Sequence, residues 1–157
     1  MSDIIDLLIS DHNDFKEMLK KLTVITQSSQ NDDLFRKLFD RVKGHARFEE
    51  TSVYPLLTIN SDTSEIALEA FEEHHQFLHL FQALKDLPAT DNSFMAKMHV
   101  LNDDITHHIL EEEMHLFPQL RASNTEANLH MIGITYQKML DTERSEKANV
   151  DDHIRAR

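Results

Sequence analysis

The sequence predicts an all-α protein: an antiparallel up-down four-helix bundle with a short fifth helix at its C-terminal end. Three observations point there. The 157 residues include only two glycines and three prolines against 40% hydrophobic residues, a composition suited to long helices and poor in turns. Apolar residues recur at helical spacing in five separate stretches. The first half of the chain also resembles the second: "DHNDFKEML" from Asp11 aligns with "EHHQFLHLF" from Glu73, and "HARFEETSVYP" from His45 aligns with "HILEEEMHLFP" from His108. The offset is 62 residues for the first pair and 63 for the second, a one-residue change in a loop. Two stacked copies of a helical hairpin with short connections make an antiparallel bundle.

Taken in order, Ser2 and Asp3 read as the cap of a first helix, with Ile4, Ile5, Leu8, Phe15, Leu19, Leu22 and Ile25 on one stripe until "TQSSQNDD" interrupts it. A second helix starts near Asp32 and carries Leu34, Leu38, Val42, Phe48 and Val53 toward Leu57. "NSDTSE" signals a turn and a cap, after which a third helix runs through Ile66, Phe71, Leu78, Phe81 and Leu84 to Pro88. Thr90 to Ser93 open a fourth, in which Met98, Leu101, Ile105, Leu110 and Leu116 lead into Pro118. Leu129, Ile132, Tyr136 and Met139 mark the fifth, a stripe suited to packing or to a homodimer contact, and the charged end from about Thr142 is expected to fray. The expected organisation is therefore a bundle over residues 1–122 and a C-terminal helix with a flexible tail over 123–157.

Charge narrows the function. A net charge of −12 with no cluster of Lys and Arg argues against a nucleic-acid groove and against an anionic membrane surface, and no apolar run approaches a membrane span. The opening "MSDIIDLLIS" carries acids where a secretory signal needs bases, so the expected location is cytoplasmic. The absence of cysteine rules out disulfides, iron–sulfur clusters and thiolate zinc sites, leaving nitrogen and oxygen as metal donors.

Eleven histidines are roughly three times an ordinary complement, and they are dispersed rather than run together as a tag. One His-x-x-x-Glu is expected by chance among eleven histidines and thirteen glutamates, but here the pair occurs twice at equivalent repeat positions, His45 with Glu49 and His108 with Glu112. Residues four apart on a helix share a face and can reach one metal centre. Counted from the expected turns, His12, His45, His74 and His108 fall at one height in the bundle. Six such groups in a core cost several kcal/mol without partners, and a metal supplies the partner. The donor set suits iron or manganese, and also zinc, and two carboxylates can bridge two ions. Each ion would then have two nitrogens and two oxygens, a solvent-derived oxo or hydroxo bridge, and one open position. His75, His79, His99, His107, His115, His130 and His153 are assigned to the surface or to supporting roles, although His115 shares a face with His108 and Glu112 one turn further on. Glu50 or Glu113 could orient a ligand, Glu111 reads as a solvated face, Tyr54 as a core aromatic with a useful hydroxyl, and Phe117 as core.

These residues resemble the hemerythrin-like family, the HHE cation-binding domains, over about residues 3 to 120. The family pattern, H…HxxxE…H…HxxxE, is matched in order by His12, His45 with Glu49, His74, and His108 with Glu112. The resemblance implies a non-haem di-iron centre with the four histidines as terminal ligands and the two glutamates as bridges. Two departures from the oxygen-carrying hemerythrins stand out: Ala70 occupies the place of their seventh ligand, and His108-x-x-x-Glu112 replaces their wider histidine–aspartate pair. The resemblance is thus to six-ligand members, which handle reactive oxygen or nitric oxide, sense iron or oxygen, or help repair iron centres. The expected partner is dioxygen, peroxide or nitric oxide. If the protein is an enzyme, the expected reaction is catalase-like peroxide or nitric oxide detoxification. The alternatives are an iron or oxygen sensor, an iron-handling module without turnover, and a structural zinc site.

Overall fold

The computed structural model describes residues 2–24 and 29–155, and the side chains of 2–24 and 32–148. Helix α1 (Ile4–Val24) opens with a reciprocal cap, in which the Asp6 N–H donates to Asp3 Oδ1 at 3.0 Å and the Asp3 N–H donates to Asp6 Oδ2 at 3.1 Å. Helix α2 spans Ser29–Phe48, so it begins before the expected Asp32, while Ile25 lies outside the described residues. It continues through a π-helical turn, Glu49–Val53, into the short α3 (Tyr54–Thr58). Asn60 caps α4 (Ser61–Lys85) by accepting from the Asp62 N–H at 3.0 Å, and the buried Thr63 hydroxyl closes the same turn on the Leu57 carbonyl at 2.6 Å. Asp91 braces the next turn by accepting from both the N–H and the hydroxyl of Ser93, after which α5 (Phe94–Glu111) passes through a second π turn, Glu112–Leu116, into α6 (Phe117–Ser123).

The two π turns sit at equivalent places in the two repeats, and proline explains them. Pro55 and Pro118 lack the N–H that would bond four residues back, and their rings crowd that carbonyl, so one extra residue in the preceding turn relieves the clash. The Thr51 hydroxyl donates to the Arg47 carbonyl at 2.9 Å within the first of these turns.

Helices α1, α2, α4 and α5 pack as an antiparallel ring, each against its sequence neighbour, with α5 closing on α1. Helix α7 (Glu126–Arg155) lies against α1. It is 30 residues long and continues through Thr142, further than the sequence pattern alone extends. Gly133 permits its close approach, since a Cβ there would lie 3.0 Å from the Ile4 nitrogen. One stripe residue is misplaced by the pattern: Leu110 is 53% exposed and Ile109 is buried, because Ile105 plus four keeps helical phase and plus five does not.

Two apolar clusters fill the bundle. One gathers Ile4, Leu8, Phe48, Tyr54, Phe117 and Leu120 under α7; the other gathers Phe15, Leu38, Phe77, Phe81, Leu101 and Ile105 at the opposite end. The buried charged groups separate them. Among the described residues no helix is long and apolar enough to cross a membrane.

Candidate metal centre

All six residues singled out by the repeat converge. His12 comes from α1, His45 from α2, His74 from α4 and His108 from α5, while Glu49 and Glu112 open the two π turns, and none is more than 4% exposed. They form two overlapping sets, His12, His45, Glu49, Glu112 and Glu49, His74, His108, Glu112, and in each set the potential ligand atoms lie within 4.8 Å of one another. Both glutamates belong to both sets.

The imidazoles are aimed by carboxylates from outside. Nδ1 of His12 lies 2.9 Å from Glu113, that of His45 3.2 Å from Asp11, that of His74 2.9 Å from Glu50, and that of His108 2.7 Å from Glu73. A carboxylate accepts, so each Nδ1 carries the proton in the neutral ring and each Nε2 presents a bare lone pair inward. Those lone pairs meet: Nε2 of His12 and His45 are 3.2 Å apart, and those of His74 and His108 are 3.0 Å apart. The glutamates add to the mismatch. Both oxygens of Glu49 and Oε2 of Glu112 are buried without a hydrogen-bond donor, although imidazole nitrogens stand 3.1 to 3.4 Å away. Lone pair facing lone pair in a dry core is unfavourable by itself and favourable around cations, so the residues fit a pair of metal ions.

Electrostatics of the polypeptide alone say the same in protons. Burial disfavours a charged His45, but the attraction of Glu49 and the hydrogen bonds to Asp11 and Glu49 override it and lift its pKa to about 10. For His74 burial is likewise overcome, by hydrogen bonds to Glu49 and Glu50, and the pKa rises to about 9. Burial would raise Glu49, yet His45 and His74 hold it well below the usual carboxylate range. Without metal, the protons go to His45 and His74, whose Nε2 atoms then become the donors that the ionised Glu49 otherwise lacks.

Two tyrosines complete the site. The Tyr54 hydroxyl donates to Glu112 Oε1 at 2.6 Å and lies 3.0 Å from His74 Nε2, the role foreseen for it. Tyr136, read in the sequence as a packing residue, donates to Asp11 Oδ2 and lies 3.3 Å from His45 Nδ1. Asp11 and Glu73 were not singled out either. Their signal was present, since each is the acid directly before a repeat-equivalent histidine, His12 or His74. Glu50 and Glu113 lie against the imidazoles of His74 and His12. His75, His79, His99, His107 and His115 are exposed, His130 is half-buried on α7, and Glu111 is half-buried; the His153 side chain lies outside those described. Among the described residues no seventh histidine joins the cluster.

Fold and donor set together define a helical-bundle cation-binding protein. A family model described as the hemerythrin HHE cation binding domain matches residues 3–120, so the chain belongs to that family. A crystal structure of a hemerythrin HHE cation-binding domain-containing protein from Mycobacterium kansasii shares the fold, with a TM-score of 0.80 at 21% identity over 93% of this chain and 90% of the other. A protein of Nostoc sp. (strain PCC 7120) named DNA nickase is 23% identical over 122 residues, 76% of this chain. That stretch spans only 34% of the nickase's own length.

Proposed function

We propose that the protein holds two non-haem iron ions and binds or reacts with a small oxidant, dioxygen, peroxide or nitric oxide, in the cytoplasm. The observation that supports this most is the facing of the Nε2 lone pairs within each histidine pair, next to carboxylate oxygens that lack donors. Nitrogen and oxygen donors without sulfur are ones that iron accepts, as manganese does. His12 and His45 would hold one ion, His74 and His108 the other, with Glu49 and Glu112 shared. Iron, when bound, supplies one-electron redox chemistry and a position open to an exogenous molecule.

The chain's own residues do the rest. Asp11, Glu50, Glu73 and Glu113 fix the imidazole tautomers, and Tyr54 holds one oxygen of Glu112. Phe15, Val42, Phe77, Ile105 and Ile109 line a cavity of about 10 Å³ against the imidazoles, room for no more than one water-sized molecule. Its apolar walls keep bulk water from the centre and offer no proton donor.

The DNA nickase name is not carried over. The shared stretch is a third of that protein, and the net charge of −12 is the wrong sign for a phosphate-binding surface. The test is metal content per chain after purification without added metal, then the optical spectrum in air and the rate of peroxide loss. Near two irons with a di-iron spectrum is expected; zinc or no metal after anaerobic reconstitution with ferrous iron would overturn the proposal. Peroxide turnover well above that of free iron would make the protein an enzyme, whereas a long-lived adduct would favour an iron or oxygen sensor.

A further inference from the structure

The fifth helix lies outside the segment matched by the family model, yet it contributes a side chain to the centre. Tyr136 is 1% exposed, packs against Phe48 with ring centroids 4.6 Å apart, and donates its hydroxyl proton to Asp11 Oδ2. The same Asp11 oxygen accepts from His45 Nδ1 at 3.2 Å, while Asp11 Oδ1 accepts from Arg41 at 2.8 Å. Asp11 is therefore pulled two ways, outward by Arg41 and inward by Tyr136 and His45.

The equivalent acid in the other half needs no such help. Glu73 has one more methylene, reaches His108 Nδ1 at 2.7 Å, and has no tyrosine on it. Asp11 is shorter, and its oxygen stays on His45 only while something opposes Arg41. Tyr136 is the group placed to do so. Three residues earlier on the same helix, Gly133 sits with its would-be Cβ 3.0 Å from the Ile4 nitrogen and 3.1 Å from the Asp3 carbonyl carbon, which seats α7 tightly enough on α1 for Tyr136 to reach.

We propose that Tyr136 is a positioning residue for His45, acting through Asp11, and that the fifth helix is thereby coupled to the metal position held by His12 and His45. The proposal rests on the metal reading above. Coupling of this kind is reciprocal: a helix that favours metal at that position is itself held more firmly when metal is there. Among the described residues the other position, between His74 and His108, has no such link to α7.

The experiment is an anaerobic titration with ferrous iron of the whole chain and of Tyr136→Phe, with amide hydrogen exchange across α7 recorded with and without iron. Wild-type protein is expected to take up two irons and to gain protection around Gly133 and Tyr136 on loading. Tyr136→Phe keeps the ring and loses the hydroxyl; it is expected to bind one iron as before and the other about 10- to 100-fold more weakly, and to lose the iron-linked protection. A merely structural tyrosine would lower stability and leave both positions equal. Gly133→Ala, which shifts α7 with Tyr136 intact, is expected to weaken the same position. Two irons bound at wild-type affinity by both variants, or α7 exchange indifferent to iron in the wild type, would overturn the proposal. Wild-type protein that takes up no iron would instead overturn the metal reading itself, and this proposal with it.

Discussion

The two halves of the histidine–glutamate layer carry the same residues on the same backbone, yet their surroundings differ at single atoms. Asp11, His12, His45, Glu49 and Glu50 in the first repeat correspond to Glu73, His74, His108, Glu112 and Glu113 in the second. Each outer acid crosses to the imidazole of a neighbouring helix, and the crossing pattern is the same in both halves. The aromatic that follows each π turn breaks the symmetry. Tyr54 stacks on His74 and donates to Glu112, whereas its counterpart Phe117 stacks on His12 with nothing to donate. Duplication thus accounts for a centre with two positions, and later divergence of the flanking residues for two positions that are not alike.

Removing a shared ligand should have the largest effect. Glu112→Ala or Glu49→Ala takes an oxygen donor from both positions, so iron content is expected to fall from about two per chain to near zero. His45→Ala or His108→Ala removes a donor from one position, and about one iron per chain should remain. Elemental analysis on matched preparations separates these outcomes, with His99→Ala, an exposed histidine, as the control. Two irons retained in Glu112→Ala would mean that the buried carboxylates are not ligands at all.

A smaller effect follows from the protons that take the place of metal. In the unfolded chain a histidine titrates near 6.5, whereas in the fold His74 is raised to about 9 and His45 to about 10. Between those values the folded, metal-free protein binds more protons than the unfolded one, so its stability must fall as pH rises. The contribution is complete below about 6.5 and is lost as pH climbs through about 9 and then about 10, one group from each half. The expected slope is on the order of 1 kcal/mol per pH unit for each group. Metal competes for the same nitrogens, so affinity for it should rise over the same interval. Thermal unfolding of chelator-stripped protein from pH 6 to 10 tests this, and a midpoint that does not fall would rule it out.

The bundle and the six converging residues were legible because both follow from spacing. Helical stripes, loops rich in Asp, Asn and Ser, and a His-x-x-x-Glu pair repeated at an offset of 63 need no knowledge of neighbours in space. The outer acids were harder. Asp11 and Glu73 stand next to His12 and His74 in the chain, but adjacent helical residues point about 100° apart and serve different partners, so a rule built on residues four apart passes over them. Tyr136 was harder still, because α7 has no copy elsewhere in the chain and a tyrosine on an apolar stripe looks the same whether or not its hydroxyl has a task. The π turns were implied by Pro55 and Pro118 only in the sense that a proline must disturb the helix before it; which residue bulges is settled by packing.

Tyr54→Phe should have the smallest effect, and it tests the asymmetry directly by making the first repeat resemble the second. The ring stays stacked on His74, so packing is kept, and the change is confined to the donor on Glu112 Oε1. In stripped protein that oxygen becomes a fourth orphan beside both oxygens of Glu49 and Oε2 of Glu112, and the expected loss of stability is about 1 to 3 kcal/mol. In loaded protein the loss should be smaller, since metal can take up the freed oxygen. Denaturant unfolding of both forms measures the difference. If Tyr54→Phe costs the loaded protein as much as the stripped one, the phenol supports Glu112 independently of metal, and the two halves differ in packing rather than in how they prepare their carboxylates for a cation.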